Sequence, residues 1–162
     1  VCKILHIIEK ILNQEIKMNI AIGCDEIAIN MKNNLIEVLK EKNIEYKDFG
    51  VKTVKPVDYP DIAAAVTSEV QNGNFGRGIL VCGTGIGMAM CANKFKGIRA
   101  ACCHDVYSTQ RSILSNDCQI ITFGSLVIGV NTAIELLKIW LDIERTGGTA
   151  KKVKKIEGLE AL

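Results

Sequence analysis

Cys82 closes an apolar run, Ile79-Leu80-Val81-Cys82, that breaks at once into Gly83-Thr84-Gly85-Ile86-Gly87-Met88. A thiol can serve as nucleophile or base, and the alternating glycines leave a bed of backbone N–H groups beside it. One short segment therefore joins a proton acceptor to donors for a developing anion. The residues ahead of the cysteine read as a strand buried on both faces, and the glycines as a tight turn that opens a helix. At a helix start the partial positive charge and unpaired N–H groups favour thiolate over thiol, and the same donors could hold an oxyanion. The alternative is a packing cysteine with glycines that allow close approach, since free cysteine is among the residues most often buried.

From Met18 onward, short apolar runs alternate with helical periodicity, the pattern of an α/β fold whose parallel sheet carries helices on both faces. Strands are predicted over Asn19 to Cys24, Ile44 to Phe49, Gly78 to Cys82, Ile98 to Cys102 and Cys118 to Phe123. Ala28, Met31, Leu35 and Val38 mark one helix, Ile62, Val66 and Val70 a second, and Val130, Ala133, Ile134, Leu137 and Trp140 a later one. Gly50 to Pro60 is the longest irregular piece. A last helix is expected after Gly147-Gly148, carrying Lys151-Lys152-Val153-Lys154-Lys155 outward. Ligands of open α/β sheets bind outside the carboxyl ends of the strands, and Asp25, Cys82 and Thr84 all fall at such ends.

A chain of 162 residues fits one domain with a substantial core. The formal net charge of +2, with basic residues scattered outside the lysine-rich tail, argues against a nucleic-acid binder. Seven cysteines without a C-x-x-C pair, accompanied by two histidines, make no metal-site pattern and read as reduced thiols of a cytoplasmic protein. No apolar stretch reaches the ~20 residues of a membrane span. In residues 1–17, Ile4, Ile8, Ile11 and Leu12 recur at helical spacing opposite Lys3, Glu9, Lys10, Glu15 and Lys17. That segment is expected to be an amphipathic extension, or an artefact of cloning or start-site choice, ahead of a domain spanning residues 18–162. Gly83-x-Gly85-x-Gly87 lacks the spacing of a dinucleotide fingerprint, and no Gly-Lys-Ser/Thr marks a phosphate loop. His104-Asp105 invites a triad with Cys82, but the pair reads better as a helix start, with Asp105 capping and His104 a partly buried neighbour.

In order along the chain stand Ile20-Ala21-Ile22-Gly23-Cys24-Asp25, Asp48-Phe49-Gly50, Asp58-Tyr59-Pro60-Asp61, the Gly78 to Met88 run, Ala92-Asn93-Lys94, Gly97-Ile98-Arg99-Ala100, Asn116-Asp117 and Gly147-Gly148. From Met18 to about Ile156 this set resembles the type B ribose-5-phosphate isomerases and the related galactose-6-phosphate isomerase subunits. The resemblance implies a single doubly wound, Rossmann-like αβα domain with five parallel strands. It also implies a homodimer or homotetramer with active sites between subunits, and no metal or organic cofactor. The implied reaction interconverts aldose and ketose sugar phosphates through a cis-enediolate, by default ribose 5-phosphate and ribulose 5-phosphate. Cys82 would move the carbon-bound proton and Thr84 the hydroxyl proton, while N–H groups from Gly83 through Gly85 and Ile86 to Gly87 stabilise the enediolate oxygen. Asp25 would bind sugar hydroxyls, Asp58 and Tyr59 would line the sugar pocket, and Asn116 would lie beside the ring. Asp25 could instead cap the following helix, Tyr59 could be packing, and Asn116 could close a turn.

The departures from that family are specific. Glu26 stands where a histidine usually follows the aspartate, and Ser115 where the family has the histidine thought to open the sugar ring. Serine does not titrate near neutrality, so ring opening would fall to another group, to water, or be unnecessary. Leu126 and Lys152 occupy positions of phosphate-binding arginines, and of the two only lysine can hold phosphate, as a point charge. These changes raise two alternatives: an isomerase of a different sugar (galactose 6-phosphate, or an unphosphorylated or acidic sugar), and a partner subunit inactive alone.

Overall fold

The computed structural model describes residues 18–161, so the expectation for residues 1–17 falls outside the described residues. Five strands, β1 (Asn19–Cys24), β2 (Glu45–Asp48), β3 (Arg77–Cys82), β4 (Ala100–Cys102) and β5 (Ile120–Gly124), pair in the order β2-β1-β3-β5-β4, all parallel. Six helices flank them: α1 (Ile29–Glu41), α2 (Tyr59–Gln71), α3 (Ile86–Ala92), α4 (Val106–Leu114), α5 (Val130–Asp142) and α6 (Ala150–Gly158). The doubly wound αβα architecture expected from the sequence is the one observed.

Successive strand side chains point to opposite faces of the sheet. Ile20, Ile22, Ile79, Val81, Ile121 and Phe123 accordingly pack with Leu35 and Leu39 of α1, Ile113 of α4, and Leu137 and Trp140 of α5. On the other face Ala21, Leu80, Cys82 and Ile120 meet Ala63 and Val66 of α2 and Met88 of α3. Central strands covered on both sides need unbroken apolar runs, which is why β1 and β3 were so plain in the sequence.

Strand starts differ from expectation where a side chain or a helix end takes the backbone donor. β4 begins at Ala100 instead of Ile98, because the Arg99 N–H donates to Gln119 Oε1 at 2.9 Å. β5 begins at Ile120 instead of Cys118, whose N–H still donates to Ser112 O of α4 at 2.9 Å. β2 is the edge strand Glu45-Tyr46-Lys47-Asp48, whose charges suit an exposed edge. The irregular stretch ends at Asp58, since Tyr59 and Pro60 already open α2.

Lys32 of α1, 1% exposed, donates to Asp48 Oδ2 at 2.6 Å and to Val51 O at 3.1 Å, while Asp48 Oδ1 accepts the Gly50 N–H at 2.8 Å. This buried pair ties the start of the irregular segment to α1. From β1 the chain moves outward to β2, whereas β3 leads the opposite way to β5 and β4. The switch point therefore lies between the carboxyl ends of β1 and β3, where Asp25 and Cys82 stand.

Candidate active site

Cys82 is 5% exposed, and its sulfur accepts the Gly85 N–H at 3.1 Å. Folding back within three residues requires Gly85 in the left-handed region, at φ +77°. Thr84 is exposed, and its Oγ1 accepts the Ile86 N–H at 3.3 Å. The loop's carbonyls are held from the other side. Ser125 N–H donates to Cys82 O at 2.8 Å, Leu126 N–H to Gly83 O at 3.0 Å, Cys102 Sγ to Thr84 O at 3.5 Å and Thr122 Oγ1 to Gly85 O at 2.8 Å. The N–H groups of Gly83, Thr84 and Gly87 find no acceptor among the described residues, leaving fixed donors beside the sulfur. Burial pushes the Cys24 and Cys118 thiols up to about 12 and Cys103 up to about 11, and raises Cys102 as well.

Across the switch point, Asp25 is 7% exposed and its backbone N–H donates to Val81 O at 3.3 Å. Its Oδ1 is buried without a partner, and its side chain makes no capping bond to the turn that follows. Asp25 stands at the N-cap position of that turn without closing a capping bond, and an orphaned carboxylate oxygen at a ligand crevice is placed to receive hydroxyl donors. Burial raises the Asp25 pKa, the neighbouring Glu26 adds to it, and the N–H groups of Ile27 and Ala28 oppose.

Glu26 Oε2 accepts the Val57 N–H at 3.3 Å, so this carboxylate braces the irregular segment above the site. Asp58 is exposed at the start of α2 and makes no side-chain capping bond. Tyr59 is the first residue of α2 instead of a loop residue, and its ring lies on Gly87. A Cβ there would come within 2.7 Å of ring carbons and 2.8 Å of the hydroxyl oxygen. Packing and proximity to the N–H bed are both true of it.

Ser115, Asn116 and Lys152 stand elsewhere. α4 runs back from the carboxyl edge, so Ser115 and Asn116 precede β5 at the amino edge of the sheet. Gly124, at the far end of β5, is the residue that pairs with Cys82. The strand alone separates the two groups by about 13 Å, at ~3.3 Å per residue. Ser115 Oγ is occupied, accepting from Arg111 Nε at 2.7 Å and from Nη2. The Asn116 carbonyl accepts Arg99 Nε at 2.9 Å, and the exposed side chain is left to face outward. Arg99, 8% exposed, also binds Asp117 Oδ2 at 3.0 Å and Glu157 Oε1 at 3.1 Å, joining this turn to α6, on which Lys152 is exposed. Sequence reasoning missed the role of Arg99; its signal was a lone arginine between apolar neighbours at a strand start.

His104 is engaged away from Cys82. Its Nε2 accepts the Gly124 N–H at 2.9 Å and lies 3.9 Å from Cys102 Sγ, while Asp105 caps α4 by accepting the Ser108 N–H at 2.8 Å. Among the described residues no three His, Cys, Asp or Glu side chains gather as metal ligands would, and no helix is long and apolar enough to cross a membrane.

A doubly wound sheet with a thiol, an N–H bed and a carboxylate at its switch point defines an α/β protein built to handle a small polar ligand. Residues 20–156 match the family model described as Ribose/Galactose Isomerase, and the chain belongs to that family. It is 53% identical to the "Ribose-5-P isomerase B" of Listeria innocua, covering 88% of this chain and 97% of that protein. To the "D-erythrulose-4-phosphate isomerase" of Pectobacterium atrosepticum it is 46% identical, covering 86% and 93%. The solved ribose-5-phosphate isomerase B of Clostridium thermocellum superposes with a TM-score of 0.87 at 39% identity, covering 89% and 98%. The chain is a sugar-phosphate aldose–ketose isomerase.

Proposed function

We propose that this isomerase interconverts ribose 5-phosphate and ribulose 5-phosphate with Cys82 as its base. The observation that carries the reading is the Cys82 sulfur, 3.1 Å from the Gly85 nitrogen and beside N–H donors without internal acceptors. The thiolate takes the C2 proton of the open-chain aldose, and the charge that spreads to O1 is received by the N–H groups of Gly83, Thr84 and Gly87. The Thr84 hydroxyl relays the O2 proton to O1, and the Cys82 thiol returns its proton to C1, leaving a carbonyl at C2. Asp25 accepts sugar hydroxyls, and Tyr59, Asp58 and the Glu26-braced segment wall the sugar.

Ser115, Asn116 and Lys152 reach the same sugar only from another copy of the chain. Ile86, Met90, Val106, Tyr107, Leu126 and Val127 are exposed apolar side chains, all but Met90 at the carboxyl edge. A surface of that kind beside half a polar site fits a second subunit. A two-fold homodimer would bring each chain's amino edge to its partner's Cys82, with Lys152 at the phosphate.

One observation favours a second substrate. His104, the only imidazole among the described residues, has Nε2 committed to Gly124, and Ser115 Oγ accepts from Arg111, so neither of these two atoms is free to take a proton in ring opening. A four-carbon aldose 4-phosphate has no hydroxyl able to close a furanose, and the Pectobacterium relative is named for a four-carbon substrate. The purified chain assayed alone with ribose 5-phosphate, erythrose 4-phosphate and unphosphorylated ribose separates these readings. With ribose 5-phosphate in D2O, Cys82→Ala should lose C2 exchange by about 10²- to 10⁴-fold, the range for removing a general base. Exchange retained in that variant overturns the role of Cys82. Higher kcat/KM with erythrose 4-phosphate selects the second substrate, and inactivity rescued by a second related chain selects the partner-subunit alternative.

A further inference from the structure

The ladder between β4 and β5 ends with the Cys103 N–H donating to Thr122 O at 3.1 Å. There the chain turns away into α4, and a side chain takes over. The next donor on β5, the Gly124 N–H, is received by His104 Nε2 at 2.9 Å. An imidazole nitrogen accepts only when it carries no proton, so this bond requires the neutral Nδ1–H ring.

What His104 grips is the plate on which the catalytic loop lies. A Cβ on Gly124 would sit 2.7 Å from the carbonyl carbon and oxygen of Thr84, so the two backbones are already in contact. The next two residues donate to Cys82 O and Gly83 O, and Thr122 and Cys102, just before, hold Gly85 O and Thr84 O. Each of these bonds turns a loop carbonyl away from the ligand side and so aims the loop's N–H groups toward it. Preorganised donors of this sort lose their effect when misplaced by a fraction of an ångström.

We propose that His104 is a positioning residue of this isomerase: by accepting the Gly124 N–H it holds the end of β5 against the Cys82–Gly85 loop, and protonation of its Nε2 releases that hold and slows turnover. The proposal rests on the isomerase site described above. Burial lowers the tendency of this imidazole to take a proton, with Asp105 opposing, which keeps it an acceptor at neutral pH. The ionisable groups facing it are few. Cys102 lies 3.9 Å away, and the Asp105 carboxylate is engaged by Ser108. The β5 end and its turn, Gly124-Ser125-Leu126-Val127, carry no charge, and the loop beyond them brings only Cys82.

Nitrogen-15 NMR of the intact chain, which has only two histidines, reads the ring directly. The expected result is a neutral Nδ1–H ring for His104 and a Gly124 amide that titrates with it. An Nε2–H ring, or a Gly124 amide indifferent to the titration, overturns the proposal without reference to substrate. Kinetics with ribose 5-phosphate supply the second arm. Wild-type kcat should drop about tenfold through the imidazole titration and level off there, while KM changes little. H104A should lose about tenfold at neutral pH, a typical single hydrogen bond's worth. H104Q, whose amide oxygen can accept the same N–H without titrating, should recover most of that loss and show no drop at the pH where the His104 ring titrates by NMR. A drop at that same pH that persists in H104Q contradicts the assignment, whereas no turnover in any form alongside the expected NMR result would count against the substrate reading alone.

Discussion

At Asp25, binding and stability pull in opposite directions. Its Oδ1 is buried and unpartnered, and burial raises its pKa above the ordinary carboxylate value. A carboxyl with a raised folded pKa holds its proton more tightly folded than unfolded. The stability penalty is therefore absent below the unfolded value of roughly 3.9, grows between the two values, and is complete above the raised one. Asp25→Asn should then melt at a higher temperature than the wild type at pH 7, with the gap closing as the pH approaches 4. Its kcat/KM should fall by about 10- to 100-fold, the worth of a charged hydrogen bond to substrate. Thermal melts at both pH values and one kinetic series check both halves. Cys82, Thr84 and Asp25 were legible because each follows an apolar run at a strand's carboxyl end. The Tyr59 ring on Gly87, the hold of Arg111 on Ser115 and the His104 bond to Gly124 were not, since the last two tie up polar groups by orientation and the first joins segments far apart in the chain.

At the level of elements, the site depends on how closely β5 approaches the loop after β3. Gly124→Ala would drive a Cβ to 2.7 Å from the backbone of Thr84, where no side chain can swing aside. The expected cost is about 1–3 kcal/mol of stability, typical of overpacking, together with a loss of activity as the Cys82 loop is displaced. Gly129→Ala meets nothing within 4 Å and should leave both unchanged. Urea melts of the pair with matched rate measurements distinguish local crowding from a general cost of replacing glycine. The apolar runs made β1, β3 and β5 readable as strands, while β4 and β5 start later than expected because Gln119 and the end of α4 take their first donors. Periodicity carries burial; it does not carry which donor a nearby amide oxygen will claim.

At the scale of the whole molecule, the candidate residues divide between opposite edges of one sheet. Asp25, Cys82, Thr84 and Tyr59 gather at the carboxyl edge, and Ser115, Asn116 and the α6 lysines at the amino edge. That division follows from α4 and β5 running in opposite directions, so alternation of strands and helices already contained it once the strands were known to be parallel. What the pattern could not supply is the exposed apolar surface proposed to meet a second copy, because Ile86, Tyr107 and Leu126 look like ordinary apolar residues until they are seen exposed. The most direct measurement is complementation between Cys82→Ala and the double variant Asn116→Ala/Lys152→Ala, unfolded together, refolded, and assayed with ribose 5-phosphate. Each alone should be nearly inactive, and the equal mixture should regain about a quarter of wild-type activity, because half of randomly formed dimers carry one intact site of two. Mixed dimers that form and yet show no more activity than their parents would contradict a site built from two chains.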